Sequence, residues 1–200
     1  MRILVIRHGE SEADILEVHE GRADFELTER GHQQADAMAS YVKKNYTLSA
    51  IYSSTLKRAR QTAAYLSEQT GLSVFFDDLL MEFNNGLIAG MDRESAQQKY
   101  PYIPDLPVHA SVYEQESELE FRFRADYVLS KIISENADNS TVAIVTHGGM
   151  INQLYRSFLR LPVDCDIRFL TGDTGIHEWR IEESRRFVTS ANMTAHIDVR

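Results

Sequence analysis

The chain is 200 residues long, enough for one domain with a sizeable core. Its 21 Lys and Arg stand against 30 Asp and Glu, a formal net charge of −9, which argues against a nonspecific nucleic-acid binder or a guest of anionic membranes. A lone cysteine, Cys165, excludes an intrachain disulfide, and the opening apolar run Ile3-Leu4-Val5-Ile6 is too short for a signal peptide or a membrane span, so a cytoplasmic protein is expected.

Arg2 to Ile6 reads as a strand buried on both faces. Thr28 is a candidate N-cap for a helix whose apolar face carries Ala35, Met38, Tyr41 and Val42. Ala50 to Ser53 is a second strand. Ser54 or Thr55 should cap the next helix, with Ala59, Thr62, Ala63 and Leu66 inward and Gly71 as its stop. Ser73 to Phe76 is a third strand. Pro101, Pro104 and Pro107 then force a loop. A long helix is expected from Glu116 to Glu135, lined by Phe121, Ala125, Val128 and Ile132. Thr141 to Val145 is a fourth buried strand, followed by a helix bearing Ile151, Leu154, Tyr155 and Phe158. Ile176 to Ile181 and Phe187 to Thr189 read as a hairpin looped through Glu182 to Arg186. Strands alternating with helices predict a three-layer α/β/α sandwich, with a mostly parallel sheet and a C-terminal antiparallel hairpin, over residues 1–200 as one domain.

In open α/β sheets, ligands bind beyond the carboxyl ends of the strands. Those ends carry Arg7-His8-Gly9-Glu10-Ser11, then Ser54 to Arg58, then Met81-Glu82, then Thr146-His147-Gly148-Gly149. Two histidines, two arginines and a glutamate therefore converge on one crevice. The set suits a phosphate ester: arginine forks neutralise the phosphoryl oxygens, and transfer to phosphorus is mostly positioning and electrostatics. Arg7 and Arg58 disfavour a second proton on His8, leaving a neutral imidazole as nucleophile. Glu82 would protonate the leaving alkoxide, and a cationic His147 would add a donor to the phosphate. Lys57 and Arg60 read as surface charge.

Arg7-His8-Gly9-Glu10-Ser11 resembles the signature of the histidine phosphatase superfamily, the phosphoglycerate mutase-like group. Further blocks resemble that family in the same order: Gly21, Asp24, Leu27-Thr28, Gly31 and Gln34-Ala35; Ser54 to Ala63; Glu82 with Gly86 and Gly90; Glu116-Ser117 with Arg124; and Val145 to Gly148. The resemblance implies a phosphohistidine mechanism with His8 as nucleophile and Glu82 as proton donor and later base. Arg7, Arg58 and His147 would form the phosphate pocket, with Ser11, Gly21 and Gly148 from the matching blocks beside them. No cofactor and no metal is implied, and the seven histidines show no metal-ligand spacing. Asp77-Asp78 reads as a solvated turn rather than a cation site. One position departs from the pattern: where the family usually carries an asparagine that donates to phosphate, this chain has Asp14, which accepts and repels.

These readings lead to a phosphomonoester hydrolase acting on a small phosphorylated metabolite, as a monomer or homodimer. A mutase of the same family is the first alternative, but the stretch from Glu94 to Glu120 holds Lys99 as its one Lys or Arg, among six acids, a poor cradle for a second acidic group. A non-catalytic phospholigand binder is the second, and it would need neither nucleophile nor acid. Phe83, Asn84, Asn85, Ile88, Met91, His109 and Tyr113 are candidate substrate-pocket lining.

Overall fold

The computed structural model describes residues 1–197. Six strands form one sheet: β1 (Arg2–Arg7), β2 (Ala50–Ser53), β3 (Val74–Phe76), β4 (Thr141–Thr146), β5 (Ile176–Glu182) and β6 (Arg185–Met193). Their order is β3-β2-β4-β1-β5-β6. The first four in that order run parallel, β5 lies antiparallel to β1, and β6 lies antiparallel to β5. The helices are α1 (Glu12–Leu16), α2 (Glu29–Asn45), α3 (Lys57–Thr70), α4 (Arg93–Lys99), α5 (Glu118–Glu135) and α6 (Gly148–Leu159).

The central strands explain the layering. Successive side chains of a strand point to opposite faces, and Ile3 to Ile6 and Val142 to Val145 are all fully buried. Ile3, Val5, Val142 and Ile144 therefore pack with α5 and α6 on one face, against Val128, Leu154 and Phe158. Leu4, Ile6, Ala143 and Val145 pack with α2 and α3 on the other, against Met38, Val42 and Leu66. This is the expected sandwich, with the strands' carboxyl ends at one edge.

Several element ends differ from expectation for identifiable reasons. Thr28 caps α2 as predicted, accepting the Gly31 N–H at 3.0 Å. Neither Ser54 nor Thr55 caps α3: Thr55 donates to Asp78, Ser54 turns to His147, and the distant Asp24 carboxylate accepts the Lys57 N–H at 2.6 Å instead. The long helix starts at Glu118, because Ser117 and Glu120 form a reciprocal capping box; Glu116 stays outside it and pairs with Arg124. The hairpin is tighter than predicted. Glu182 pairs with Arg185, and the turn is Glu183-Ser184 alone, both at positive φ, a conformation matched to the strand twist. The short helices α1 and α4 were not anticipated; α4 is polar almost throughout and rests on its Asp92 cap, so it has no apolar period to read. Residues 101–117 carry neither helix nor strand, as the prolines require.

Candidate active site

The carboxyl ends of β1 and β4 and the start of α3 meet over His8. Its backbone is held between the Thr146 carbonyl and the Thr174 N–H. Gly9 follows because a Cβ there would lie 2.5 Å from the Gly31 carbonyl oxygen. The His8 ring is 1% exposed. Its Nδ1 lies 2.7 Å from the Gly9 carbonyl oxygen, an atom that only accepts, so Nδ1 carries the hydrogen. Nε2 is left with its lone pair and accepts the Arg58 Nε–H at 3.2 Å. Burial, then the charges of Arg58 and Arg7, hold the His8 pKa well below the ordinary imidazole value.

Arg58 is fully buried, and its fork is aimed by two carbonyls: Nη1 donates to Ala23 at 3.0 Å and Nη2 to Gly21 at 2.8 Å. Arg7 donates through Nη1 to the Thr171 carbonyl at 3.0 Å and stands 3.5 Å from Asp173. The His147 ring centroid is 5.1 Å from that of His8. The expected cationic His147 is corrected: burial, followed by Arg58 and His8, holds its pKa well below normal, so the free site contains a neutral ring. It can still donate. The Ser54 hydroxyl accepts from the Leu56 N–H and lies 2.8 Å from His147 Nε2. If Ser54 gives its proton to Nε2, the hydrogen of the ring sits on Nδ1, a buried atom with no protein partner.

Glu82 reaches the same cleft from the loop after β3. Its carboxylate accepts from the N–H groups of Gly149 (2.8 Å), Met150 (3.1 Å) and Phe83 (2.7 Å), at the N-terminus of α6. Gly149 permits this: a Cβ there would stand 2.4 Å from Glu82 Oε1. At Gly148, which lines the cleft, a Cβ would meet only ordinary contact with Thr171. The loop itself hangs on Arg124, which donates to the carbonyls of Leu79, Met81 and Glu82 and pairs with Glu116 at 2.7 Å. Asp77 and Asp78 are occupied by structural partners, the Leu79 N–H and Lys131 for the first and Thr55 for the second.

Asp14 does not act as an open repellent. It accepts from the backbone N–H and hydroxyl of Ser11, at 2.9 and 3.2 Å, and stands 3.9 Å from Arg7. Gly21 serves Arg58 through its carbonyl rather than lining the cleft. The cleft has a volume of about 300 Å³, and its walls include Arg7, His8, Glu20, Glu82 and Gly148, with Asn152 and the 168–171 segment. Of the candidate lining residues, Phe83, Ile88 and Tyr113 face a different cavity, beside Tyr100 and the proline loop. Sequence reasoning missed Glu20, Asn152 and Arg168, and it gave Gly149 a place at the end of β4 but no role. Glu20 precedes Gly21, the first residue of a matching block, which is the one signal that pointed near it.

A family model described as histidine phosphatase superfamily (branch 1) matches residues 3–194. Phosphoserine phosphatase 1 of Hydrogenobacter thermophilus is 27% identical over 202 residues, spanning 98% of this chain and 94% of the relative. Glucosyl-3-phosphoglycerate phosphatase of Mycobacterium tuberculosis is 33% identical over 172 residues, spanning 81% of this chain and 77% of the relative. Among solved structures, mycobacterial glucosyl-3-phosphoglycerate phosphatase in complex with VO3 superposes with a TM-score of 0.83 at 26% identity, covering 96% of this chain and 98% of that one.

Proposed function

The chain belongs to the histidine phosphatase superfamily, branch 1, and on that premise we propose that it hydrolyses a small phosphate monoester through a phosphohistidine on His8. The observation that carries the reading is the state of His8: a buried, neutral ring whose Nδ1–H is spent on Gly9, with the Nε2 lone pair beside Arg58. Arg7, Arg58 and the His147 Nδ1–H bind the phosphoryl oxygens. Nε2 attacks phosphorus, the N–P bond forms, and the ester P–O bond breaks in line with it. The leaving oxygen takes a proton from the Glu82 carboxyl. Water then attacks the phosphohistidine, Glu82 takes the proton of that water, the N–P bond breaks and inorganic phosphate departs.

The phosphoserine and glucosyl-3-phosphoglycerate phosphatases among the relatives support the substrate class, a small phosphorylated metabolite. The acids of the 94–120 segment favour hydrolysis over transfer to a second anionic substrate. The chain is read as one domain working in the cytoplasm, as a monomer or homodimer, without nucleic acid or membrane as partner; no helix among the described residues is long and apolar enough to cross a membrane. Rapid quench with labelled p-nitrophenyl phosphate tests the reading. An acid-labile, base-stable label on His8 is expected, and turnover by His8→Ala at the wild-type rate refutes it.

A further inference from the structure

Glu20 is the carboxylate in this site that the mechanism does not use, and it stands where the substrate has to go. Its Oε1 is 3.1 Å from Arg58 Nε and 2.5 Å from the Ser11 hydroxyl, and its Oε2 is 3.6 Å from His8 Nε2. A phosphorus poised for attack stands about 3–3.5 Å from the attacking atom. The carboxylate thus lies at nearly the distance from Nε2 that phosphorus must take up, bound to the same guanidinium.

We propose that Glu20 is an internal anion holding the phosphate seat of the free protein, and that an entering phosphate dianion displaces it with uptake of one proton on its carboxyl. The proposal rests on the phosphatase reading above and adds a residue that sets the pH range of the reaction.

The groups facing Glu20 define the balance. From β1 and the residue after it come Arg7 and His8, from the start of α1 Ser11 and Asp14, and from α3 Arg58. Burial is the largest influence and pushes the Glu20 pKa up, Asp14 adds to that rise, and Arg58, Ser11 and Arg7 oppose it. The phosphate alters the balance in one direction. It takes the place of Glu20 at Arg58 Nε, pairing the main opposing charge with phosphate, and sets a dianion beside Glu20. Both changes favour the neutral acid. The hydroxyl of Ser11 makes the same point locally: it has one hydrogen for two carboxylates, Glu20 and Asp14, and a proton on Glu20 satisfies both contacts.

Binding coupled to one proton weakens about tenfold for each pH unit above the pKa of the group that takes it up. The test measures inorganic phosphate binding calorimetrically from pH 5 to 8.5, in buffers of different ionisation enthalpy, for wild type and Glu20→Gln. The ionisation of phosphate itself is common to both proteins, so the difference between them belongs to Glu20. At pH 8 the variant should bind phosphate at least about tenfold more tightly, the two affinities should converge toward pH 5, and wild type should take up close to one extra proton per phosphate. kcat/KM should follow, with the alkaline fall of the wild type flattened in the variant. Glu20→Ala, checked by its melting temperature, gives the same readout if the glutamine variant fails to fold. Equal proton uptake by wild type and variant, or one affinity ratio at every pH, overturns the proposal: Glu20 would then be a bystander or would swing out still ionised. A wild type that binds no phosphate at any pH overturns the phosphatase reading and this proposal together, whereas an unchanged pH dependence with intact turnover overturns only the role of Glu20.

Discussion

Arg58 offers the sharpest separation of site from surface, because Arg60 is its neighbour on the same helix. The Arg58 guanidinium has no solvent exposure and donates to His8, Gly21 and Ala23. Arg60 is exposed and lies 5.0 Å above the Phe76 ring, a contact worth about 0.5–1 kcal/mol. Removing one preorganised donor to a developing phosphoryl charge costs about 3 kcal/mol, or about a hundredfold in kcat/KM. Arg58→Ala should lose at least that. It also strips two carbonyls of a charged donor and leaves Glu20 without its closest cation, so a lower melting temperature accompanies the loss. Arg58→Lys separates the two effects: it restores the charge without the fork, and should recover stability more than rate. Arg60→Ala should leave kcat/KM within about twofold, since its ring contact is remote from the cleft. The assay is kcat/KM on p-nitrophenyl phosphate, taken well below each variant's melting temperature. Equal, small losses for Arg58→Ala and Arg60→Ala would refute the clamp, as would full recovery of rate in Arg58→Lys.

Glu82→Gln should lower kcat/KM for an alkyl phosphate about a hundredfold more than for p-nitrophenyl phosphate, whose leaving group needs little protonation; the same factor for both esters would remove Glu82 as the acid. Asp14→Asn should tighten phosphate binding a few-fold, because it relieves Arg7 of one nearby carboxylate and the entering dianion of a like charge. Weaker binding would mean that Asp14 is needed to orient Arg7. His177 is buried against Tyr155 and Thr171, and burial pushes its pKa from 6.5 down to about 4. The neutral ring is therefore favoured in the folded protein, so its stabilisation is complete above pH 6.5 and lost as pH falls toward 4. The span corresponds to roughly 3 kcal/mol. His177→Gln should show a correspondingly shallower loss of stability over that window in urea titrations, and parallel curves would contradict it.

The layers and the strand ends were legible because buried parallel strands leave continuous apolar runs, and Val142 to Val145 and Ile3 to Ile6 are such runs. His8, Arg58 and His147 followed from where those runs stop. What stayed hidden depends on contacts distant in the chain. Ser54 reads as a cap because its hydroxyl precedes a helix, yet its partner is His147, just past the end of β4. Gly149 looked equivalent to Gly148 until the Glu82 carboxylate lay against it. Arg124 stands in a block that resembles the family, but what it does there, holding three carbonyls of the Glu82 loop, depends on residues distant in the chain.

Glu20 shows why charge alone misleads at such a site. By sign, an acid should avoid an anion pocket, so the sequence directs attention to the arginines and away from Glu20. In the free protein the argument reverses. Arg7 and Arg58 are drawn together around one small cleft, and a buried cation left without a counter-charge is costly. Asp14 and Asp173 stand near Arg7, and Glu20 sits on Arg58. The carboxylates let the cations be assembled before any substrate arrives, and the same carboxylates must give way when it does. For Glu20 that step takes up a proton, which ties the affinity of the pocket for phosphate to pH.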